Sequence, residues 1–255
     1  MKIATWNVNS LKVRLPQVLE WLAANSDVTA LCLQETKMDD PVFPLAEITE
    51  AGFHVAFAGQ KTYNGVAIIA RAPIEDVVIN IPGFEDAQKR VITATVNGVR
   101  LVGAYIPNGQ DLESDKYQYK LAWLNALISW LKTEMAAYPQ LALLGDYNIA
   151  PEDRDVHDIK KWQGGVLVSE PERAAFEQLQ ALGLVDAFRL FEQSEKSFSW
   201  WDYRGFSFKK NAGLRIDHIL LSQELAARCR ACSIDIEPRK NERPSDHTPV
   251  IATLD

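Results

Sequence analysis

Apolar and polar positions along this chain follow two periods. Strand-like runs at 2–8, 28–33, 65–70, 91–96, 99–106, 141–144, 197–201, 214–221 and 248–254, rich in Val, Ile, Leu and Ala except for the aromatic 197–201, predict strands. Asn97-Gly98 separates two of these runs, and both residues accept positive φ, so it predicts a two-residue hairpin turn and at least one antiparallel pair. A period near 3.6 shows in three places. Leu15, Val18, Leu19 and Leu22 form one stripe, and Leu121, Leu124, Leu127, Ile128 and Leu131 form a longer one. Phe176, Leu179 and Leu182 form the third, which starts at Ser169 with Glu172 three residues on, a capping-box pattern, and stops at Gly183. Strands and helices mixed in this way predict an α/β protein with sheets packed on each other and helices outside.

Composition narrows the class. At 47% hydrophobic and 24% charged, the 255 residues can bury a core, which excludes a disordered chain. No run approaches the roughly 18 apolar residues of a membrane span. The first residues enter strand-like sequence without a signal or transit pattern, and no Pro/Gly/Ser linker interrupts the chain, so 1–255 reads as one domain. Three cysteines are too few for a disulfide scaffold: Cys32 lies in an apolar run, and Cys229 and Cys232 form a lone C-x-x-C with no second pair or His at ligand spacing. A reducing, cytoplasmic location follows. The net charge of −7 weighs against holding nucleic acid by bulk electrostatics, but leaves room for an enzyme whose acids gather in a metal site while bases line one face.

Polar residues fall where the strands end. Asn7 and Glu35 close the first two runs, Asp146 and Asn148 follow 141–144, Asp217 lies inside an apolar run, and Asp246-His247 precede the last one. Asp and Asn commonly cap strand ends, and an isolated Asp-His pair is commonly a surface hydrogen bond. Asp217 fits that reading least, because a carboxylate among apolar neighbours needs a partner or a metal. Oxygen ligands such as Glu35, Asp246 and Asn7 suit a hard cation like Mg²⁺. No phosphate-binding Gly-rich loop and no serine-hydrolase elbow is present. What remains is metal-assisted hydrolysis by carboxylates and a histidine, most naturally of a phosphate ester.

Six motifs then occur in order: Trp6-Asn7-Val8-Asn9, Leu33-Gln34-Glu35-Thr36, Tyr105-Ile106-Pro107-Asn108-Gly109, Gly145-Asp146-Tyr147-Asn148, Leu214-Arg215-Ile216-Asp217 and Ser245-Asp246-His247. Together they resemble the exonuclease III-type apurinic/apyrimidinic (AP) endonucleases, of the superfamily that includes deoxyribonuclease I. The resemblance implies a four-layer α/β sandwich, two mixed β-sheets face to face with helices outside. It also implies roles. Glu35 is the main metal ligand, assisted by Asn7 and Asp246, for Mg²⁺ with Mn²⁺ as a substitute. Asp146 activates or orients the attacking water beside Asn148. His247 and Tyr105 contact the scissile phosphate, and Asp217 orients and charges His247. The sequence leaves Asp146, Tyr105 and His247 as alternatives for the group that takes the water's proton.

For the substrate, the resemblance places Trp200, Leu214 and Ile216 at an apolar pocket for a base-less deoxyribose. Asn108, Arg90 and Lys209 join them as substrate-binding residues, with Lys12, Arg14, Lys37, Lys61, Arg71 and Lys210 as further bases around the site. The implied activity is Mg²⁺-dependent DNA repair: incision 5′ to abasic sites in double-stranded DNA and processing of damaged 3′ ends, by a monomer that binds no membrane. The segment 149–169 matches the family only in its first half; Trp162-Gln163-Gly164-Gly165 departs from it. In the family this loop affects whether internal abasic sites or only 3′ ends are admitted, so a dedicated 3′-exonuclease is the nearest rival. A phosphatase acting on inositol phosphates or lipid headgroups, and a DNA-binding module without activity, are the more distant ones.

Overall fold

The computed structural model describes residues 1–255. In chain order the elements are β1 (Lys2–Asn7), α1 (Leu11–Ala24), β2 (Val28–Gln34), α2 (Leu45–Glu50), β3 (His54–Ala58), β4 (Val66–Ala70), β5 (Glu75–Ile79), β6 (Val91–Val96), β7 (Val99–Tyr105), α3 (Asp115–Ala137) and β8 (Leu141–Asp146). They continue with α4 (Ile159–Trp162), α5 (Glu170–Ala181), β9 (Val185–Asp186), β10 (Asp217–Leu221), α6 (Gln223–Arg228), β11 (Cys229–Ile234) and β12 (Val250–Leu254).

The strands make two six-stranded sheets, ordered β11-β12-β1-β2-β4-β3 and β5-β6-β7-β8-β10-β9. Each sheet has one parallel pair, β1 with β2 and β7 with β8, and is otherwise antiparallel. Reading the second sheet backwards gives the same sequence of strand directions as the first. The sheets face each other with β1 over β8 and β2 over β7. Helices α1 and α2 cover the outer face of one sheet, and α3 and α5 cover the other. This is the four-layer α/β sandwich.

Side-chain alternation decides what enters the site. Along β1, Ile3 faces the inter-sheet core while Ala4 and Trp6 face α1. The same parity gives Asn7 the inner face. On β8, Ala142 and Leu144 point inward and Leu141 and Leu143 outward, so Asp146 is inward. On β7, Leu101 is inward and Val102 and Ala104 outward, which makes Tyr105 inward. On β10, Ile219 and Leu221 are inward, and so is Asp217. The polar residues thus sit on inner faces at one end of the sandwich, where the carboxyl ends of the two parallel pairs meet.

Two local features make this packing feasible. A Cβ on Gly145 would lie 1.8 Å from the Ala104 carbonyl oxygen, so only glycine lets β8 approach β7 here. Asn97 and Gly98 adopt φ of 50° and 77°, as the hairpin turn requires. Helix α5 carries the capping box: Ser169 Oγ accepts from the Glu172 amide and the Glu172 carboxylate accepts from the Ser169 amide. No helix is long and apolar enough to cross a membrane.

The structure departs from the periodicity in two places. Residues 197–201 form no strand, because their amides diverge: Ser199 and Trp200 donate to the Leu214 carbonyl, and Trp201 donates to that of Asp246. The strand expected over 214–221 starts at Asp217, since the Arg215 amide donates to the Asp155 carbonyl and the Ile216 carbonyl accepts from Tyr147. The edge strands β3, β5, β9 and β11 lie outside the predicted runs.

Candidate active site

The inward polar residues converge on a cleft of about 830 Å³. Glu35, Tyr105, Asn108, Asp146, Asn148, Trp200, Ile216, Asp246 and His247 all line it. Asn7 lies beneath, fully buried, and its amide donates to both Glu35 Oε1 and Asp146 Oδ2 at 2.8 Å. One carboxamide therefore ties the end of β1 to the end of β2 in its own sheet and to β8 in the other. Asp146 Oδ1 accepts from the Asn148 amide at 2.9 Å, and Asn148 Oδ1 accepts from Asn108 at 2.9 Å. Both oxygens of Asp146 are thereby fixed.

Asp217 stands behind His247. Its carboxylate lies 2.9 Å and 3.1 Å from His247 Nδ1, and it also accepts from Ser199 Oγ at 2.6 Å. This leaves Nε2 facing the cleft, 3.6 Å from Asp146 Oδ2. Burial opposes the imidazolium, but Asp217 and Asp146 outweigh it and raise the His247 pKa to about 10. Burial raises Asp146 to about 7, with the His247 cation pulling down and Asp217 pushing up. The Tyr105 phenol is held well above its ordinary pKa by burial and by the Glu35 and Asp146 carboxylates, so it remains a donor. A cationic imidazole, a neutral phenol and a carboxylate poised near neutrality thus share one cleft.

Atoms of Glu35, Asp146 and His247 lie within 4.8 Å of one another, a spacing at which they could hold a metal ion. A protonated His247 is no ligand, so the carboxylates are what a cation would use, and oxygen donors without thiolates suit a hard ion. Asp246 lies in the same cleft outside this trio. Its oxygens accept from Asn9 at 2.9 Å and Trp200 Nε1 at 3.0 Å; against burial, the His247 charge first and then these two hydrogen bonds hold its pKa down.

The substrate-binding expectations divide. Trp200 and Ile216 line the cleft, whereas Leu214 is fully buried beneath it, joined to Trp200 by two backbone hydrogen bonds of 3.0 Å. Arg90 lies in an adjoining pocket, its guanidinium 4.7 Å over the Tyr105 ring. Lys209 does not reach the cleft; its ammonium sits over the exposed Phe206 ring, and Arg204 of the same loop lines the cleft instead. Arg71 is spent on the Leu22 and Val28 carbonyls. Arg14 braces the carbonyls of Arg243 and Pro244, just before Asp246. Lys12, Lys37 and Lys61 share a neighbouring groove, with Lys37 also 2.8 Å from Glu35, and Lys210 is exposed.

The unmatched loop is a wall of the cleft. Lys161, Trp162, Gly164 and Gly165 line it, and Trp162 meets Trp200 edge to face at 6.2 Å. Asp155 anchors the loop from below, buried against Arg215 at 2.7 Å. Sequence reasoning missed Asn9, Ser199 and Arg204. Asn9 falls inside a quoted motif, but no spacing rule marks a Ser that braces an Asp 18 residues away.

Comparison with known proteins gives consistent matches. The model of the endonuclease/exonuclease/phosphatase family matches residues 4–247. Exodeoxyribonuclease III of Haemophilus influenzae is 36% identical, covering 99% of both chains. NExo, a 3′-5′ exonuclease from Neisseria meningitidis, superposes with a TM-score of 0.98 at 48% identity over 100% of each chain. NExo was also solved as a 3′ phosphatase bound to product DNA hairpin, with a TM-score of 0.97 at 47% identity over 100% of this chain and 99% of that one. An AP endonuclease from Archaeoglobus fulgidus follows with a TM-score of 0.96 at 39% identity, over 100% of this chain and 99% of its own.

Proposed function

The chain belongs to the endonuclease/exonuclease/phosphatase family, and from that premise we propose that it is a metal-dependent DNA repair nuclease. It hydrolyses phosphodiesters at damaged 3′ ends and 5′ to abasic sites in duplex DNA, with residues 1–255 acting as one monomeric catalytic domain in the cytoplasm. The observation that carries this reading is the convergence of Glu35, Asp146 and His247 within 4.8 Å at the meeting of the two sheets. The relatives act on DNA ends and abasic DNA, and one was captured with a DNA product.

Glu35 would hold the metal, Mg²⁺ or Mn²⁺ in its place, with Asn7 and Asp246 beside it. A bound divalent cation supplies charge neutralisation at the phosphate. His247, kept protonated by Asp217, donates to a phosphate oxygen as negative charge grows there, and the Tyr105 phenol donates to another. Asp146, fixed by Asn7 and by the Asn148 amide, orients the attacking water and takes its proton; a carboxylate with pKa near 7 is matched to that task. The edges of Trp200 and Ile216 receive the sugar, and Arg90 binds a neighbouring phosphate.

Two end-labelled duplexes test this, one with a single internal abasic analogue and one with a recessed 3′ end, each with Mg²⁺ and with EDTA. Incision of the first and shortening of the second, both abolished by EDTA, are the expected results. Shortening of the second alone would make this a dedicated 3′-end processor, and inertness on both would overturn the reading.

A further inference from the structure

We infer that the buried Lys120–Glu172 ion pair is a positioning device that sets the loops carrying Asn108, Asp146 and Asn148; this rests on the nuclease reading above. Lys120 lies on α3 and Glu172 in the first turn of α5, and both side chains are fully buried. A buried ion pair seldom adds net stability, because desolvating two charges offsets their attraction. Its partners give a better account of its place. The ammonium has three N–H donors, and all three are used: on Glu172 Oε1, on the Asn148 carbonyl at 2.7 Å and on the Asn108 carbonyl at 3.2 Å. One cation thereby grips the main chain of both loops whose side chains meet in the cleft, where Asn108 donates to Asn148 at 2.9 Å.

Asn148 needs such a grip. Its φ of 50° is left-handed, a conformation that Asn tolerates better than most residues and that the surrounding hydrogen bonds fix in place. In that conformation its amide reaches Asp146 Oδ1 and its carboxamide donates to the Ile106 carbonyl at 3.0 Å. Glu172 extends the hold to the far wall. Its carboxylate accepts from the Leu167 and Ser169 amides, each at 3.0 Å, at the end of the loop that carries Trp162. Neither Lys120 nor Glu172 lines the cleft. They act through backbone, and the same pair sets the spacing between the Asp146 side and the Trp162 side.

The test compares Glu172→Gln and the double variant Lys120→Met/Glu172→Gln with the wild type. All are assayed with Mg²⁺ on the recessed-3′-end duplex, and their melting temperatures and amide hydrogen exchange are measured. The double variant leaves no unpaired buried charge and removes only the donor to the Asn108 and Asn148 carbonyls, so its melting temperature reports whether the fold is retained. The expected result is a fall in kcat of roughly 10–100-fold with KM within about threefold, since small misplacements of reacting groups are costly. Faster exchange confined to 106–110, 146–150 and 164–169 accompanies it. Glu172→Gln keeps an acceptor for Lys120 but loses its counter-charge and the acceptor for the Ser169 amide, so it shows the same pattern with a lower melting temperature. A folded double variant with kcat within about twofold of wild type overturns the inference. So does exchange that rises evenly through α3 and α5. Should the double variant not fold, Glu172→Gln decides by the same criteria. An inactive wild type would instead overturn the functional reading.

Discussion

At the scale of single residues, the proposed chemistry rests on His247 keeping its proton. Asp217 is the largest influence favouring the cation and Asp146 the second, against the pull of burial. A group whose pKa is raised in the folded state lends stability that is complete below its unfolded value and is lost as pH rises through the folded one. In EDTA, the stability advantage of wild type over Asp217→Asn should therefore be full below about pH 6 and shrink towards pH 10. Catalysis should follow. The pH profile of kcat/KM rises as Asp146 ionises, at or below about 7 because a nearby metal cation favours the carboxylate, and falls as His247 deprotonates near 10. In Asp217→Asn the falling limb should move towards neutrality, so the variant's deficit grows between pH 6.5 and 9; a deficit constant in pH would remove Asp217 from this role. Changing Glu35 to Gln should raise the Mg²⁺ concentration needed for half-maximal turnover by about tenfold or more with the melting temperature in EDTA little altered. His247→Asn should lower kcat by roughly 10²–10³-fold while DNA binding persists, checked by single-turnover rates beside a binding titration.

At the scale of elements, strand parity and the close contact of β7 with β8 place the site. Gly145→Ala forces a methyl group against the Ala104 carbonyl at 1.8 Å, so the strands must part. A loss of about 3 kcal/mol or more in denaturant unfolding is expected, whereas Gly98→Ala, with open space around it, should lose only about 1–2 kcal/mol for its positive φ. Much of this level is legible in sequence. Alternation along 2–8 and 99–106, the Asn97-Gly98 turn and the Ser169–Glu172 box are local signals, and local physics decides them. The edge strands were not legible. Residues 75–79 and 229–234 mix exposed polar and apolar positions, because an edge strand covers only part of the core and its pairing comes from a distant partner. The cleft shows the same division. Motif residues at strand ends are readable, but Ser199 behind Asp217 and Lys120 inside the apolar stripe of α3 matter through contacts 18 to 52 residues away in sequence. Lys209 misleads because a lysine's position in a loop does not reveal which way the loop turns.

At the scale of the whole molecule, a protein with 34 acids against 27 bases must grip a polyanion. Six carboxylates line the cleft, a charge that a bound divalent cation would offset, while Arg90, Lys161 and Arg204 stand around its rim. Three such phosphate contacts would give a slope of about −2.7 in log affinity against log salt. A binding titration between 50 and 200 mM salt measures it, and a slope near zero would show that these bases do not face DNA. The meeting of two sheets has a further consequence, for the order of synthesis. Asn7 and Glu35 come from the first sheet, Tyr105, Asp146 and Asp217 from the second, and Asp246 and His247 from the segment that leads into β12. A chain translated only as far as β11 holds Asn7, Glu35, Tyr105, Asp146 and Asp217 but lacks Asp246 and His247. On the ribosome, the site therefore stays incomplete until the segment that carries Asp246 and His247 has emerged.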